Sequence, residues 1–353
     1  MSKQVTRKRN LALLIALVLT VTVVLASCGG SGKSSSSEGD AGGAAAAGDA
    51  GEKIILRTGG VGADPTRVDT VQIGIEKGFF AEEGIEIQDV GAIDVPQIIS
   101  ALTSGQTDFA GAMNSEALMA IDNGAPIIGV AGSCVTSETQ THMVFVVPKG
   151  SDITSIADLK GKRVVTASTV GGCTAGFPLE AARQGGAENA IAEVELLAAP
   201  EDVLIETLLR GDADVAGVHL IPEQIKTLYP EVEILFTDFD ILGDTGGSTA
   251  WFFTKEFVEN NPQTIEKFVR AIAKTNNWVN ENNEESIEIF KEKGLAVNAD
   301  LVWVAYYAPD AVADPAGTQL WLDLFGKPGQ VQELKNKDLT VEDIVTNKYN
   351  EKA

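Results

Sequence analysis

The segment Leu102-Thr103-Ser104-Gly105-Gln106-Thr107-Asp108-Phe109-Ala110-Gly111 decides the fold, because its pattern returns as Leu208-Leu209-Arg210-Gly211-Asp212-Ala213-Asp214-Val215-Ala216-Gly217. Both segments fit L-x-x-G-x-x-D-x-A-G. Each is typical of a helix that ends at a glycine, followed by a short turn and an apolar strand. Each is also preceded by a strand-like run, residues 85–90 and 194–197. The repetition predicts two similar α/β lobes, although a common α-turn-β connection can also recur by chance.

The rest of the chain alternates between short β-rich runs and amphipathic helical patterns. Residues 54–58 form an apolar first run, after which Val68, Val71, Ile75 and Phe79 follow at spacings of three and four. This spacing predicts one face of a helix that stops at Gly78 to Phe80. Because such alternation is typical of parallel sheets covered by helices, we expect the α/β fold class.

Two apolar, β-prone segments connect the predicted lobes. They are Thr141-His142-Met143-Val144-Phe145-Val146-Val147-Pro148 and Thr249-Ala250-Trp251-Phe252-Phe253-Thr254. Two crossings imply two hinge strands, with one lobe inserted into the other and a ligand cleft between them. We therefore assign residues 53–145 and 249–353 to lobe 1 and residues 146–248 to the inserted lobe 2.

The first residues have the composition of an export leader. Lys3, Arg7, Lys8 and Arg9 come without an acidic residue, and the uncharged stretch that follows, residues 11–26, is 16 residues long. That is shorter than the roughly 20 residues a membrane-spanning helix needs. We predict a signal peptide over residues 1–27.

The residues after the leader predict a lipid anchor. Leu25-Ala26-Ser27-Cys28 resembles the lipobox of bacterial lipoproteins, in which the cysteine is diacylated and becomes the new N-terminus. The alternative is an ordinary signal peptide that happens to contain a cysteine. Residues 28–52 are rich in Gly, Ser and Ala and too poor in large apolar side chains to order themselves, so we expect a flexible tether.

Charge and cysteine content restrict the partners. Loss of the leader removes four of the 27 basic residues and none of the 50 acidic ones, which leaves 23 against 50, a net charge of −27. Such acidity argues against nucleic acid as a partner, because a phosphate backbone requires clustered Lys and Arg. Cys134 and Cys173 fall on opposite predicted lobes. Since a disulfide between them would lock the cleft shut, we expect two free thiols.

With these features established, the chain resembles the solute-binding proteins of bacterial ABC importers in the nitrate, sulfonate and taurine group, which also includes pyrimidine-precursor binders similar to the thiamine-biosynthesis proteins. The matching segments run in family order over nearly the whole mature chain. They are residues 76–85 (EKGFFAEEGI), 102–111, 155–164 (SIADLKGKRV), 257–262 (FVENNP) and 339–344 (LTVEDI).

The resemblance implies the two-lobed periplasmic-binding-protein fold of type II, with two hinge strands. It also implies that the lobes close on a small solute and that the solute is delivered to a membrane permease powered by separate ATPase subunits. With the predicted anchor at Cys28, the protein is expected as a monomer on the extracytoplasmic face of the cell membrane.

Candidate ligand contacts lie where strands lead into helices, because ligands of open α/β sheets bind beyond the carboxyl ends of the strands. Paired glycines such as Gly171 and Gly172 let backbone amides approach a ligand, and a helix N-terminus suits an anion. The alternative is a plain strand-to-helix turn. The predicted contacts are Gly62, Asp64, Arg67, Asn114, Ser115, Glu116, Thr169, Gly171, Gly172, Cys173 and His219.

The two histidines, His142 and His219, are both placed where they can face the cleft, although a lone histidine is more often structural. Together with Cys134, Cys173 and Met143 they allow a hypothesis of soft-metal capture. Their spacing in the chain does not match a metal-ligand motif, so we predict neither a metal nor a cofactor. Few Arg and Lys residues fall near the cleft, which favours a monoanion or a neutral heterocycle over a divalent anion.

Two other functions remain alternatives. The same fold includes a thiamine-precursor synthase, but export argues against that enzyme and its cysteine-rich iron motif is not present in the sequence. No catalytic residues are identified by spacing, so we expect no enzyme activity. A surface sensor domain would normally be followed by a membrane segment and a signalling domain.

Overall fold

The computed structural model describes residues 53–60, 67–93, 97–295, 302–329 and 333–353. The predicted signal peptide, Cys28 and the tether lie outside the described residues, as do Gly62 and Asp64. In the described part of the chain, no helix combines the length and the apolar character needed to span a bilayer.

The described strands follow the β-rich runs of the sequence. They are β1 (Ile54–Thr58), β2 (Ile85–Asp89), β3 (Ala110–Met113), β4 (Ile127–Gly132), β5 (Cys134–Val135), β6 (Val144–Pro148), β7 (Arg163–Thr166), β8 (Glu195–Ala198), β9 (Val215–Val218), β10 (Val232–Thr237), β11 (Thr249–Thr254) and β12 (Tyr306–Tyr307).

Helices separate most of these strands. They are α1 (Thr70–Glu76), α2 (Phe79–Glu82), α3 (Ile98–Thr103), α4 (Asn114–Asp122), α5 (Phe177–Gln184), α6 (Ala190–Glu193), α7 (Leu204–Leu209), α8 (Pro222–Leu228), α9 (Asp238–Leu242), α10 (Lys255–Asn260), α11 (Pro262–Glu281), α12 (Asn283–Glu292), α13 (Pro315–Gly326) and α14 (Val341–Ile344). The first predicted helix ends just before Gly78, as expected, because the φ of 76° at Gly78 lies in the left-handed region, and the short helix α2 begins after it.

The sheets show how the crossover segments are used. The five strands within residues 144–237 are ordered β10-β6-β9-β7-β8, whereas β11 joins two earlier strands in the order β3-β11-β4 and β1 pairs with β2. β6 is antiparallel to β10 and β9, and β11 is antiparallel to β3 and β4. Each crossover segment thus becomes a strand inside the sheet that it enters, as two hinge strands require.

The two copies of the sequence repeat have the same structure. The helices α3 and α7 end just before Gly105 and Gly211, which have φ values of 75° and 81°. In both copies the apolar strand follows after a short turn, as β3 or as β9. The predicted repeat of helix, glycine, turn and strand is confirmed.

In each copy of the repeat, an arginine from a neighbouring strand forms an ion pair with the aspartate of the turn. Arg57 on β1 donates to the Asp108 carboxylate from Nε (2.9 Å) and Nη2 (2.6 Å), and Arg163 on β7 donates to Asp214 from Nε (3.1 Å) and Nη2 (2.8 Å). The backbone N–H of each aspartate in turn donates to the carbonyl of its arginine, at 2.8 and 2.9 Å. The invariant aspartate of the repeat therefore ties the turn to the adjacent strand through a bidentate ion pair.

The last glycine of each copy lies opposite an aromatic residue of the crossover strand. Gly111 faces Trp251 on β11, and Gly217 faces Phe145 on β6. A Cβ at Gly111 would lie 3.0 Å from the Trp251 ring, and one at Gly217 would lie 2.4 Å from the Phe145 ring. A side chain at Gly217 would collide with the Phe145 ring and one at Gly111 would be in tight contact with Trp251, which favours glycine at both positions.

A hydrophobic core runs from the second sheet to the C-terminal helices. Trp321 on α13 is fully buried, its ring centroid is 5.6 Å from that of Phe177 on α5, and its Nε1 donates to the Gly246 carbonyl at 3.1 Å. Burying one large apolar side chain contributes about 1.5–3 kcal/mol. The region predicted as lobe 2 is therefore packed directly against residues predicted as lobe 1.

Candidate functional site

The N-terminus of α4 and the turn after β7 meet at the predicted cleft. Gly172 lies so close to Ser115 that a Cβ built on it would be 2.1 Å from Ser115 Oγ, and 3.2 Å from Trp321. Only glycine permits this approach. Two of the predicted contact segments, one on each predicted lobe, are thus brought together.

The turn after β7 has an unusual backbone that directs Cys173 inward. Residues Gly172–Gly176 form one turn of π-helix, in which the Gly176 N–H donates to the Gly171 carbonyl at 3.1 Å. Gly171 has a φ of 101°, which a residue with a side chain rarely adopts. Cys173 is buried within this turn, with 5% of its surface exposed. Such π-helical turns are frequent at functional sites.

Cys173 meets both histidines at this point. One potential ligand atom from each of His142, Cys173 and His219 lies within 4.8 Å of the other two. The two imidazole rings are nearly perpendicular, at 86°, with centroids 5.1 Å apart. His142 precedes β6, Cys173 follows β7 and His219 follows β9, so three separate connections supply the three side chains.

His219 is held by Glu201 and Cys173. Its Nδ1 lies 3.2 Å from Glu201 Oε1, and its backbone N–H donates to the same oxygen at 2.8 Å. Burial lowers the pKa of His219, but hydrogen bonds to Cys173 and Glu201 outweigh burial and raise the pKa to about 10. Burial likewise raises the pKa of Glu201, while the bonds to His219 leave it below its usual value. At neutral pH, His219 therefore carries a positive charge.

His142 has the opposite electrostatic character. Burial, followed by the charges of His219 and Arg67, lowers its pKa well below the usual value, so its imidazole is neutral. Within the described part of the chain, its Nε2 is buried without a hydrogen-bond partner. Since a buried unpaired nitrogen is costly, this atom points to a ligand that completes the site.

Asp238 holds the chain that presents His142. Its Oδ1 accepts hydrogen bonds from the backbone N–H groups of His142 (2.9 Å) and Met143 (3.0 Å), and its Oδ2 accepts from Thr136 Oγ1 at 2.5 Å. The carboxylate is fully buried at the start of α9, and burial raises its pKa against the opposing effect of these bonds. The segment before β6 is thus fixed by a side chain from the far end of the inserted region.

A small cavity that His142 also lines adjoins the site. Its volume is about 10 Å³, close to the space that one water molecule occupies. Among the described residues, Thr141 Oγ1 and Trp303 Nε1 are also buried there without a hydrogen-bond partner. The lining residues are Arg67, Cys134, Val135, Gln140, Thr141, His142, Gly247, Trp303 and Ala305.

The predicted contacts are distributed unevenly around this site. Cys173 and His219 lie at its centre with Gly171 and Gly172 beside them, and burial raises the pKa of Glu116, whose charge interacts with His219. Arg67 lines the small cavity, where its Nη1 is 3.8 Å from Cys134 Sγ. Both Cys134 and Cys173 are free, as expected.

Two predicted contacts stand apart from this centre. Asn114 is fully buried, and its side chain donates to Thr318 Oγ1 at 2.9 Å. Thr169 is only partly buried in the loop before the π-helical turn. A role of these two residues in binding remains a prediction.

Several residues of the site were missed by sequence reasoning. Trp303 forms an isolated bridge to Arg67 beside the cavity, a placement that the sequence did not indicate. Its residue type was the one available signal. Thr141, Glu201 and Asp238 carry no local signal, because their roles depend on distant partners. The chain spacing of the histidines and cysteines was also uninformative, since His142, Cys173 and His219 converge only in the folded chain.

Comparison with known proteins gives a consistent result. A family model described as NMT1/THI5 like matches residues 68–286, more than half of the chain. The formylaminopyrimidine-binding protein of Halalkalibacterium halodurans is 25% identical over 246 residues, which cover 67% of this chain and 70% of that protein.

Solved structures support the fold. The alkanesulfonate-binding protein of Xanthomonas axonopodis pv. citri, bound to MOPS, has a TM-score of 0.60 and 18% identity, covering 84% of this chain and 99% of that one. The periplasmic nitrate-binding protein of Synechocystis PCC 6803 has a TM-score of 0.62 and 13% identity, covering 84% and 87%. The predicted periplasmic-binding-protein fold is confirmed.

Proposed function

The chain belongs to the NMT1/THI5-like family, and from this premise we propose that it is the solute-binding protein of an ABC importer. It captures a small solute in the cleft by lobe closure and delivers it to a permease driven by separate ATPase subunits. The lobes in this proposal are residues 53–145 with 249–353, and residues 146–248. The protein acts as a monomer and binds its solute without converting it, in keeping with relatives that are named as binding proteins.

The observation that carries this proposal is the set of buried polar atoms without partners around the predicted cleft. Within the described residues they include Ser115 Oγ, Thr141 Oγ1, His142 Nε2 and Trp303 Nε1. Each unpaired buried group costs about 1–3 kcal/mol. A solute that enters between the lobes and pairs with these atoms removes that cost, so its binding favours a closed form that is filled by the solute.

The charges at the site favour a small monoanion or a polar heterocycle. His219 is protonated at neutral pH and Arg67 adds a second cation, while Glu116 and Glu201 offset part of this charge. Sulfonates, nitrate, taurine-like compounds, carboxylates and pyrimidine precursors fit this description. Sulfonate, nitrate and formylaminopyrimidine are the ligands that the similar proteins are named for.

A pair of matched variants tests the proposal. Thr141→Val and Thr107→Val each replace a buried threonine whose hydroxyl has no partner, but only Thr141 lines the cavity. Neither change is expected to lower the free energy of unfolding, because an unpaired hydroxyl is removed. Isothermal titration calorimetry with the solute panel should show affinity reduced up to about 10-fold for Thr141→Val alone, the equivalent of one lost hydrogen bond.

Two results would count against the proposal. One is the absence of binding to every member of the panel. The other is equal affinity of the two threonine variants for a solute that binds the unmodified protein.

We further propose that residues 1–27 are removed as a signal peptide and that the acylated Cys28 holds the protein on the extracytoplasmic face of the cell membrane, with residues 28–52 as a tether. Labelling of cells with radioactive palmitate should mark the protein, and Cys28→Ser should abolish the label and release the protein from the membrane fraction. A labelled Cys28→Ser variant would contradict the assignment.

A further inference from the structure

We propose that His142, Cys173 and His219 form a three-donor site for Zn²⁺ in the predicted solute cleft. Two imidazole nitrogens and one thiolate are a donor set that zinc accepts, and three protein ligands leave a fourth tetrahedral position open. A water molecule or a donor atom of the solute can fill that position. The inference rests on the proposed function only for the location of the site within a solute cleft.

The distances suit zinc after a small adjustment of the side chains. The ligand atoms lie within 4.8 Å of one another. Zn–N bonds of about 2.0 Å and Zn–S bonds of about 2.3 Å place tetrahedral donors about 3.5 Å apart, so the ligand atoms must approach by at most about 1.3 Å. Rotation of side chains on three separate connections supplies a movement of this size without a change in the sheets.

Each histidine has a nitrogen available for a metal. Nδ1 of His219 is taken by Glu201 at 3.2 Å, which leaves Nε2 for coordination. This is the carboxylate–histidine–metal arrangement in which the carboxylate orients the ring. Nε2 of His142 is buried and, among the described residues, has no other partner. The backbone of His142 is fixed by Asp238, so the ring is held at the site before a metal binds.

The thiol completes the set. Cys173 is buried in the π-helical turn and shares a hydrogen bond with His219. The metal takes the place of the proton between these two side chains, so that binding releases protons to solvent. No electron transfer is required. The second free thiol, Cys134, lies next to Arg67 in the lining of the small cavity and is not among the three donors.

Titration of the full-length, metal-free protein with Co²⁺ tests the site without a solute. Cobalt replaces zinc in such sites, and a thiolate ligand gives a charge-transfer band in the near ultraviolet. We expect this band in the unmodified protein and in Cys134→Ser, and its loss in Cys173→Ser. Zn²⁺ added afterwards should displace the cobalt and abolish the band.

The remaining ligands are tested by affinity. His142→Gln and His219→Gln should each weaken Co²⁺ binding at least 10-fold, and Glu201→Gln should weaken it by about 10–100-fold, the effect usual for a residue that orients a ligand. Circular dichroism of each metal-free variant establishes that it folds. A folded Cys173→Ser variant that keeps the band, or the absence of a band in the unmodified protein, overturns the zinc site.

The failure of this inference is distinguishable from the failure of the proposed function. If the metal-free protein binds a solute but shows no charge-transfer band when Co²⁺ is added, the zinc site is overturned and solute capture is upheld. A cobalt band with the predicted dependence on Cys173, in a protein that binds no member of the solute panel, upholds the zinc site and overturns the capture of those solutes.

Discussion

A methyl group added at Gly172 should oppose closure of the cleft. In the structure a Cβ at this position would lie 2.1 Å from Ser115 Oγ and 2.5 Å from Ser115 Cβ. Both distances are far below van der Waals contact, and overpacking of this kind costs about 1–3 kcal/mol. Because Gly172 and Ser115 fall on different predicted lobes, the collision exists only in the closed form. The closed population, and with it the affinity for solute, should fall by about 5–150-fold in Gly172→Ala.

The location of the collision also predicts that Gly172→Ala will lower solute affinity without lowering the stability of the folded protein. The free energy of unfolding of the solute-free protein, measured in urea, should change little, because the open form avoids the contact. Removal of the Ser115 side chain in the double variant Gly172→Ala/Ser115→Gly should restore much of the lost affinity. Gly326→Ala is a suitable control, since a Cβ there meets nothing within 4 Å.

Small-angle X-ray scattering with and without solute reports closure directly, and titration calorimetry reports affinity. If Gly172→Ala becomes compact at the same solute concentration that makes the unmodified protein compact, the reasoning is refuted. A large loss of stability without solute would also refute it, since that result would place the contact inside a single folding unit.

Three further predictions concern stability. Asp238→Asn keeps one oxygen for the backbone N–H groups of His142 and Met143 but puts an NH2 group where Oδ2 accepts from Thr136 Oγ1, and should cost about 1–3 kcal/mol in urea unfolding. The exposed Asp244→Asn should stay within about 0.5 kcal/mol. The hydrogen bond from Arg163 lowers the pKa of Asp214. The ionised Asp214 therefore adds its full contribution to the free energy of unfolding above the unfolded pKa of about 3.9, and this contribution is lost as the pH falls through the lower folded pKa. The stability difference between the unmodified protein and Asp214→Ala should therefore narrow in acid, and a constant difference down to pH 2 would contradict the assignment. Trp321→Ala should cost about 3–5 kcal/mol in urea unfolding of the solute-bound protein, where Trp321 packs against Phe177 across the predicted lobes, and a loss below about 1 kcal/mol would show that the neighbouring core collapses into the space.

Much of the architecture was predictable because it depends on local patterns. The repeat of helix, glycine, aspartate and strand was visible in the sequence, as were the crossover segments that became β6 and β11. What the pattern did not reveal was the partner of each repeat aspartate. Arg57 and Arg163 lie on other strands, so their pairing with Asp108 and Asp214 depends on which strands become neighbours.

The end of the first helix was likewise predictable, because a glycine follows the apolar pattern and Gly78 adopts a positive φ there. The position of Trp303 beside the cavity was not visible in the sequence, because its partner Arg67 is distant in the chain. In the folded chain it pairs with Arg67 and presents an unpaired indole N–H to the cavity.

The amino-acid sequence by itself determined the repeated unit of helix, glycine, turn and strand and the two crossover strands, because periodicity and glycine placement act over short stretches of chain. The two lobes, the leader and the tether remain predictions from the same kind of local pattern. Only the tertiary structure decided that His142, Cys173 and His219 meet, with Glu201 and Asp238 holding two of them. These residues lie on separate connections, and the distance between the connections is set by the order of the strands in the sheet. No local rule relates positions so far apart in the chain, and the chemistry of the site therefore appears only when the sheets are assembled.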